Sequence, residues 1–395
     1  MPVCKTPFFP HDPKLCQIRP DTNMANIQVL DNPAVHNLLI NLSQDEAITF
    51  RQIVEQTFED FSVGGERQYQ PMPSVANRAN GQNTLFRPFT SDPSIGTKIT
   101  VEPAPGPDGK KDPLHGIVVL CDGKGNPTGI LSSEEVTGYR TSMNAMVPFS
   151  WRKHVDHIVI FGGGMQALWH TRLILTLRGL EVKSITYANP YKEQVDKLVA
   201  TVSQENQTCW KSRCSFHFID TTALSFEREI QNLLDRVDCV FCTTPSKKPL
   251  FPTSFLTQRT SSSRQPFISA IGSWQPDMLE LDHTLLHHGV STSDGYNPVT
   301  GEAKGVVVTD DRDFALQNCG ELVNSGIAAK DVVELGEVIA LRKRSKNSDH
   351  TEKTNRFISE GFVVYKSIGV SMTDLTVSNA ILEMFQRKQQ PQQRL

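Results

Sequence analysis

The spacing of apolar positions changes character near residue 151. Before that point, "SQDEAITFRQIVEQTFEDF" from Ser43 sets an N-cap with Glu46 three residues on and apolar residues at helical intervals, which predicts an amphipathic helix. "GIVVLCDGKGNPTGIL" then holds two apolar runs joined through Gly123, Gly125 and Asn126, the composition of a β-hairpin. After residue 151, short apolar runs alternate with helix-length segments: "HIVIFG" from His157, "VKSITYA" from Val182, "CSFHFI" from Cys214, "VDCVFCT" from Val237, "FISAIG" from Phe267 and "GVVVTD" from Gly305. Continuous apolar runs of this kind predict parallel strands buried on both faces. Six of them would complete a doubly wound sheet. "GFVVYKSIGVSMTDLTVSNAILEMFQR" adds a strand, a turn and a final helix, expected to return to the first unit and make it discontinuous.

These patterns divide the chain into an extension over 1–25, a first unit over 26–150 with 340–388, an inserted unit over 151–339 and a tail over 389–395. "LRKRSKNSDHTEKTNR" reads as a solvated loop.

The first apolar run of the inserted unit ends in "FGGGMQALWH", which places Gly162, Gly164 and Ala167 in the spacing G-x-G-x-x-A between a strand and a helix. In a dinucleotide fold the first glycine makes the turn and the second admits the pyrophosphate to the backbone. The third, small residue lets the helix approach the strand. Met165 and Gln166 open the helix, whose free N–H groups suit a diphosphate. At the end of the next run, "TYANPYK" carries no acid to bind a ribose diol, while Asn189 and Lys192 are at hand. That favours NADPH over NADH.

Composition narrows the rest. The chain has 395 residues, 21% charged, with a net charge of −3, which gives no bias toward nucleic acid or a membrane surface. No apolar run reaches the roughly 20 residues of a membrane span. Nothing at the N-terminus reads as a secretory signal, and eight sparse cysteines suit reduced thiols in the cytoplasm. "CVFC" lies in a strand run where residues three apart point to opposite faces, and "HTLLHHG" lacks the glutamate of a zinc helix, so no metal is expected. His115, just before the hairpin, is either near a cleft or in a structural hydrogen bond.

In order and spacing, "TKIT", "HGIVVLCDGKGNPTGIL", "EEVTGYRTSMNAM", "FGGGMQA", "CTTPSKKPLF", "AIGSWQPDMLELD", "VVELGEV" and "VVYKSIGVSMTDL" together resemble the ornithine cyclodeaminase and μ-crystallin family, over about residues 95 to 380. The resemblance implies an α/β fold, a Rossmann-type doubly wound parallel sheet inserted in a discontinuous α+β substrate and dimerisation domain, assembled as a homodimer. It implies Lys98 and Arg140 at a substrate carboxylate, and Thr141, Thr243, Thr244 and Pro245 around the cofactor phosphates and ribose. Gly369 would stand beside the nicotinamide.

Two departures matter. Trp274 stands where the cyclodeaminase branch has an aspartate that handles the ornithine amine, and an indole cannot pair with a cation as a carboxylate does. Pro73 stands where the family often has a carboxylate-binding arginine, leaving Arg87 or Arg67 to restore that charge. The expectation is an NAD(P)H-dependent reductase of the imine of a 2-oxo acid, cyclic ketimine carboxylates included, or the reverse amino-acid dehydrogenation. Trp274 would then form part of the apolar wall of the substrate pocket. The alternatives are ornithine cyclodeamination, or NADPH and small-ligand binding without catalysis.

Overall fold

The computed structural model describes residues 27–107, 112–273, 275–292, 294–344 and 348–389. The expected extension over 1–25, Trp274 and the tail beyond residue 389 lie outside them.

The first sheet contains β1 (Gln28–Leu30), β2 (Ser74–Asn77), β3 (Asn83–Thr90), β4 (Ser94–Glu102), β5 (His115–Asp122) and β6 (Pro127–Ser132), in the order β1-β6-β5-β4-β3-β2. All pairs are antiparallel except β1 with β6. The β5–β6 turn is held by the Asp122 carboxylate, which accepts from the backbone N–H groups of Lys124 and Asn126. Alternation of side chains splits the sheet into two faces. Phe89, Val118, Leu120 and Leu131 point inward and are buried. Helices α1 (Asn32–Ile40), α3 (Ser133–Phe149) and Ser371–Gln389 cover that face, and α2 (Gln44–Ser62) packs over α3 and Ser371–Gln389. Ser43 and Glu46 form the capping box expected of α2, which buries Phe50, Val54, Phe58 and Phe61.

The second sheet is wholly parallel. Its strands are β7 (His157–Phe161), β8 (Ser184–Asn189), β9 (Ser215–Asp220), β10 (Cys239–Cys242), β11 (Phe267–Ala270), β12 (Val307–Thr309), β13 (Val332–Glu334) and β14 (Val363–Lys366). Helix α4 (Met165–Arg178) joins β7 to β8 and α5 (Lys192–Thr208) joins β8 to β9. The strand order is β9-β8-β7-β10-β11-β14-β12-β13, a doubly wound sheet whose winding reverses between β7 and β10. A crevice at the carboxyl ends of the strands there is where such sheets bind ligands. Cys239 and Cys242 are free thiols buried in two separate apolar clusters, one on each face of the sheet.

The inserted unit differs from expectation in holding eight strands where six were expected, β13 and β14 being the additional two. The strand expected to follow the final loop back to the first unit, β14, lies in the middle of the second sheet, between β11 and β12. It takes the sixth position expected of the run from Gly305, and β12 moves one place outward. An unbroken apolar run pairs equally well with any parallel neighbour, so its sequence does not say which sheet receives it. Conversely, the helix Leu335–Arg344 packs against α2 of the first unit, so closely that a Cβ on Gly336 would stand 2.0 Å from the carbonyl oxygen of Phe58.

Candidate functional site

Where the two sheets meet, four elements bring charged side chains together. Arg87 on β3 and Lys98 on β4 are direct cross-strand neighbours on the inward face. Arg140 comes from α3, and Asp374 from the first turn of the C-terminal helix. Lys98 Nζ donates to Asp374 Oδ1 at 2.9 Å and Arg140 Nε donates to the same oxygen at 3.0 Å. Lys98, Arg140 and Asp374 are all buried. Burial pushes the Lys98 amine down to about 7, with Arg140 and Arg87 acting in the same sense and Asp374 opposing them. Burial also raises the Asp374 carboxyl, but Arg140, Lys98 and Arg87 outweigh it and hold the group below the usual carboxylate range.

The two candidate arginines behave differently. Arg67 stacks on the Phe61 ring and pairs with Glu334 and, at 2.8 Å, with Asp311. Its charge is spent tying the first unit to the ends of β12 and β13. Arg87 is half-buried and has neither a hydrogen bond nor an ion pair among the described residues. Burial and the neighbouring Arg140 lower its pKa.

Gly369, in the turn after β14, brings the second sheet to this cluster. Its φ is +89°, and a Cβ there would lie 3.0 Å from Arg140 Nη1 and 3.6 Å from Arg87 Nη1. Buried Asp310 fixes the turn by accepting from Ser367 Oγ at 2.7 Å, Ile368 N at 2.9 Å and Gly369 N at 2.7 Å.

The glycine bend lies at the β7–β10 switch point. Gly162 has φ +118°, and a Cβ on it would stand 2.5 Å from Thr243 Oγ1. Gly164 caps α4, the first turn of α4 receives no side-chain cap, and a Cβ on Gly164 would meet only Gln194 Nε2, at 3.8 Å. Met165 is exposed, while Ala167 is buried against the strand. An open cradle of uncapped N–H groups fits a nucleotide diphosphate. Gln166 reaches back, its Nε2 donating to Thr137 O at 3.4 Å and its Oε1 accepting from Ser142 Oγ at 3.3 Å, which connects the bend to the helix bearing Arg140. Thr141 lies half-buried beside Arg140.

Around the rim, Thr243 Oγ1 donates to Phe161 O at 2.8 Å, and Thr244 N and Oγ1 both donate to buried Glu280. Glu280 also accepts from Gly272 N at 2.6 Å, so one carboxylate shapes the loops after β10 and β11. Pro245 is exposed. Asn189 closes β8 with its Oδ1 accepting from Tyr191 N at 2.7 Å, and exposed Lys192 pairs with Asp196 at 2.7 Å. His115 is apart from the cluster, in a hydrogen bond to Glu134 at 2.9 Å. Among the described residues no group of three or more His, Cys, Asp or Glu side chains is arranged to hold a metal ion.

Sequence reasoning passed over Asp374, Asp310 and Glu280. An aspartate in the first turn of a helix reads as a favourable end charge, and only its partners reveal another use.

The fold is Rossmann-type, with a buried cationic cluster beside the switch point. No family model matches the chain. An uncharacterized cyclodeaminase of Dictyostelium discoideum is 24% identical over 307 residues, covering 76% of this chain and 78% of its own length. A Delta(1)-pyrroline-2-carboxylate reductase of Bacillus cereus is 24% identical, covering 87% of this chain and 93% of its own. Ketimine reductase mu-crystallin of Mus musculus is 23% identical over 67% of this chain and 68% of its own. Among solved structures, an archaeal alanine dehydrogenase dimer with bound NAD superposes with a TM-score of 0.66 at 20% identity, covering 92% of this chain and 97% of that one. The Delta(1)-pyrroline-2-carboxylate reductase of Thermococcus litoralis, in complex with NADH and L-proline, does so with a TM-score of 0.66 at 15% identity, covering 92% and 98%. In sequence the chain is thus similar to members of the ornithine cyclodeaminase and μ-crystallin family, and in fold to solved structures of the same kind.

Proposed function

We propose that this protein is an NAD(P)H-dependent reductase of imines derived from 2-oxo acids, also able to run the reverse oxidation of an amino acid. One observation carries the reading: Arg87, a half-buried arginine with no anionic partner among the described residues, stands beside Lys98 and Arg140. Asp374 and Asp310 act on the Arg87 guanidinium, but neither forms a hydrogen bond or ion pair with it. A substrate with one carboxylate supplies the missing anion. The names of the reductase relatives agree with this chemistry.

In this reading the N–H groups at Gly164, Met165 and Gln166 would hold the cofactor diphosphate, with Gly162, whose own N–H donates to Ala188 O at 3.0 Å, making the turn and Ala167 packing α4 onto the strand. Thr141, Thr243, Thr244 and Pro245 surround the rest of the nucleotide. When bound, the reduced nicotinamide supplies the hydride. Gly369 would stand beside that ring, in a turn where the absence of a Cβ lets Arg140 and Arg87 approach the backbone. Arg87 and Arg140 orient the substrate carboxylate, and Lys98 holds a proton close to the reacting carbon and nitrogen. Asn189 and Lys192 favour NADPH over NADH.

The protein works as a homodimer. The outward face of the first sheet is an apolar patch in which Phe86, Ile99 and Ile117 form one cross-strand row and Pro88, Val119, Ile130 and Val29 belong to the next. Val29, Phe86 and Ile117 are exposed in the single chain, and a second copy of the same face covers them. Six free cysteines among the described residues suit a reducing compartment such as the cytoplasm. Among the described residues no helix is long and apolar enough to cross a membrane.

The test is a panel of cyclic and acyclic 2-imino acids mixed with purified protein and NADPH or NADH, followed by nicotinamide absorbance. Oxidation of the nucleotide with at least one imine supports the reading. Ammonia release from ornithine would replace it with cyclodeamination, and tight NADPH binding without any turnover would replace it with a binding role.

A further inference from the structure

Asp374 carries an acceptor that the described residues leave unused. Oδ1 takes both Lys98 Nζ and Arg140 Nε, whereas Oδ2 has no solvent contact and no hydrogen-bond partner among the described residues. Buried polar atoms are almost always paired, and an orphaned oxygen on an ionised group is the least tolerated kind. The rest of the cluster consists of donors. Arg87, Lys98 and Arg140 recognise acceptors, that is, a carboxylate or the oxygen of a 2-oxo group. A protonated imine nitrogen is a cationic donor, which three cations alone would repel.

We infer that Asp374 Oδ2 receives the N–H of a substrate iminium, and that this contact makes the site select a C=N bond over the C=O of the parent 2-oxo acid. The inference rests on the imine-reductase reading. Hydride arrives at the imine carbon with its electron pair, the C=N π pair withdraws onto nitrogen, and the N–H proton stays on nitrogen in its hydrogen bond to Oδ2. No proton passes to Asp374. Hydride transfer to a ketone would instead build negative charge on oxygen against this carboxylate, which raises the barrier for that substrate. The same oxygen suits the ammonium group of a 2-amino acid in the reverse direction.

The test compares kcat/KM for a cyclic 2-imino acid and for a 2-oxo acid of the same carbon count in the wild type, Asp374→Asn and Asp374→Glu, with nucleotide affinity titrated alongside. The asparagine amide keeps the size but offers an N–H where the acceptor was. Asp374→Asn is expected to lower the imine-to-ketone ratio at least about 100-fold, chiefly through kcat, with nucleotide affinity held within about threefold. Asp374→Glu is expected to keep the imine preference. An equal fall for both substrates would overturn the inference and reduce Asp374 to a support for Lys98 and Arg140.

A second measurement needs no variant and no turnover. With oxidised nucleotide bound, the wild type should hold a 2-amino acid at least about tenfold more tightly than its 2-hydroxy analogue, because only the ammonium matches the free oxygen. Equal or reversed affinities would sink the inference even if imines are reduced. Failure of the wild type to reduce any imine, with the amino-acid preference intact, would count against the reductase reading and leave the assignment of Oδ2 standing.

Discussion

Lys98 and Asp374 are 276 positions apart in sequence and 2.9 Å apart in space. The pair joins an inner strand of the first sheet to the last described helix, and it bears on the charge of the amine proposed to face the substrate. Because burial holds Lys98 at about 7, its proton is lost within the ordinary assay range. In the reductive direction kcat/KM should fall as pH rises through about 7. Lys98→Arg, which stays protonated, should remove that inflection, and Lys98→Ala should abolish turnover while nucleotide affinity changes less than about threefold. The same shift affects stability. The folded value lies below the ordinary 10.5, so the native state binds fewer protons between about 7 and 10.5. Lys98 therefore destabilises the fold fully below about 7, and its penalty fades as pH climbs through that window.

The contrast between Arg87 and Arg67 supplies a second prediction. Arg87→Met removes a guanidinium that is unpaired among the described residues and should raise the substrate KM by roughly 10- to 150-fold, the worth of ~1.5–3 kcal/mol for a hydrogen bond to a charged group. Arg67→Met should leave KM nearly unchanged and instead lower the melting temperature by a few degrees, since it leaves Glu334 and Asp311 without their shared cation. Steady-state kinetics and thermal unfolding on both variants separate the roles.

Gly162→Ala tests the bend. A side chain at φ +118° costs ~1–3 kcal/mol in backbone strain, and its Cβ would press on Thr243 Oγ1 at 2.5 Å. Nucleotide affinity should drop at least about tenfold, read by fluorescence titration, with the protein still folded by circular dichroism.

Cofactor choice is testable at Asn189. An aspartate side chain at this position would retain the acceptor for Tyr191 N, so Asn189→Asp changes charge without breaking the turn. A carboxylate at the end of β8 should repel a 2′-phosphate and hold a free ribose diol, shifting the NADPH-to-NADH affinity ratio toward NADH by about tenfold or more.

The apolar outer face predicts assembly. Ile117→Lys places a charge in the row formed by Phe86, Ile99 and Ile117 and should convert a dimer to monomers at micromolar concentration in sedimentation velocity.

Local chemistry was legible in the sequence wherever one segment specified its own conformation. The Ser43 capping box, the hairpin at Asp122 to Asn126 and the strand, glycine bend and helix around Gly162 depend on neighbours within a few positions, and each is found as read. The juxtaposition of Lys98 with Arg140 was reached by resemblance, because no local rule joins a strand to a helix residue so far along the chain. What stayed hidden depends on partners distant in sequence. Asp374 and Asp310 look like ordinary acidic residues until the fold surrounds one with cations and gives the other three donors in the turn at Gly369. Strand β14 was recognised as a strand but placed in the wrong sheet, since a run such as Val363–Lys366 carries no face preference.

The placement of β14 also governs how the protein can be made. Its neighbours β11 and β12 leave the ribosome well before it, so the nascent chain must carry two open parallel edges side by side until Val363 emerges. Synthesis halted ahead of that point would yield a sheet in two unconnected halves, prone to aggregation and dependent on chaperones, however complete its glycine bend.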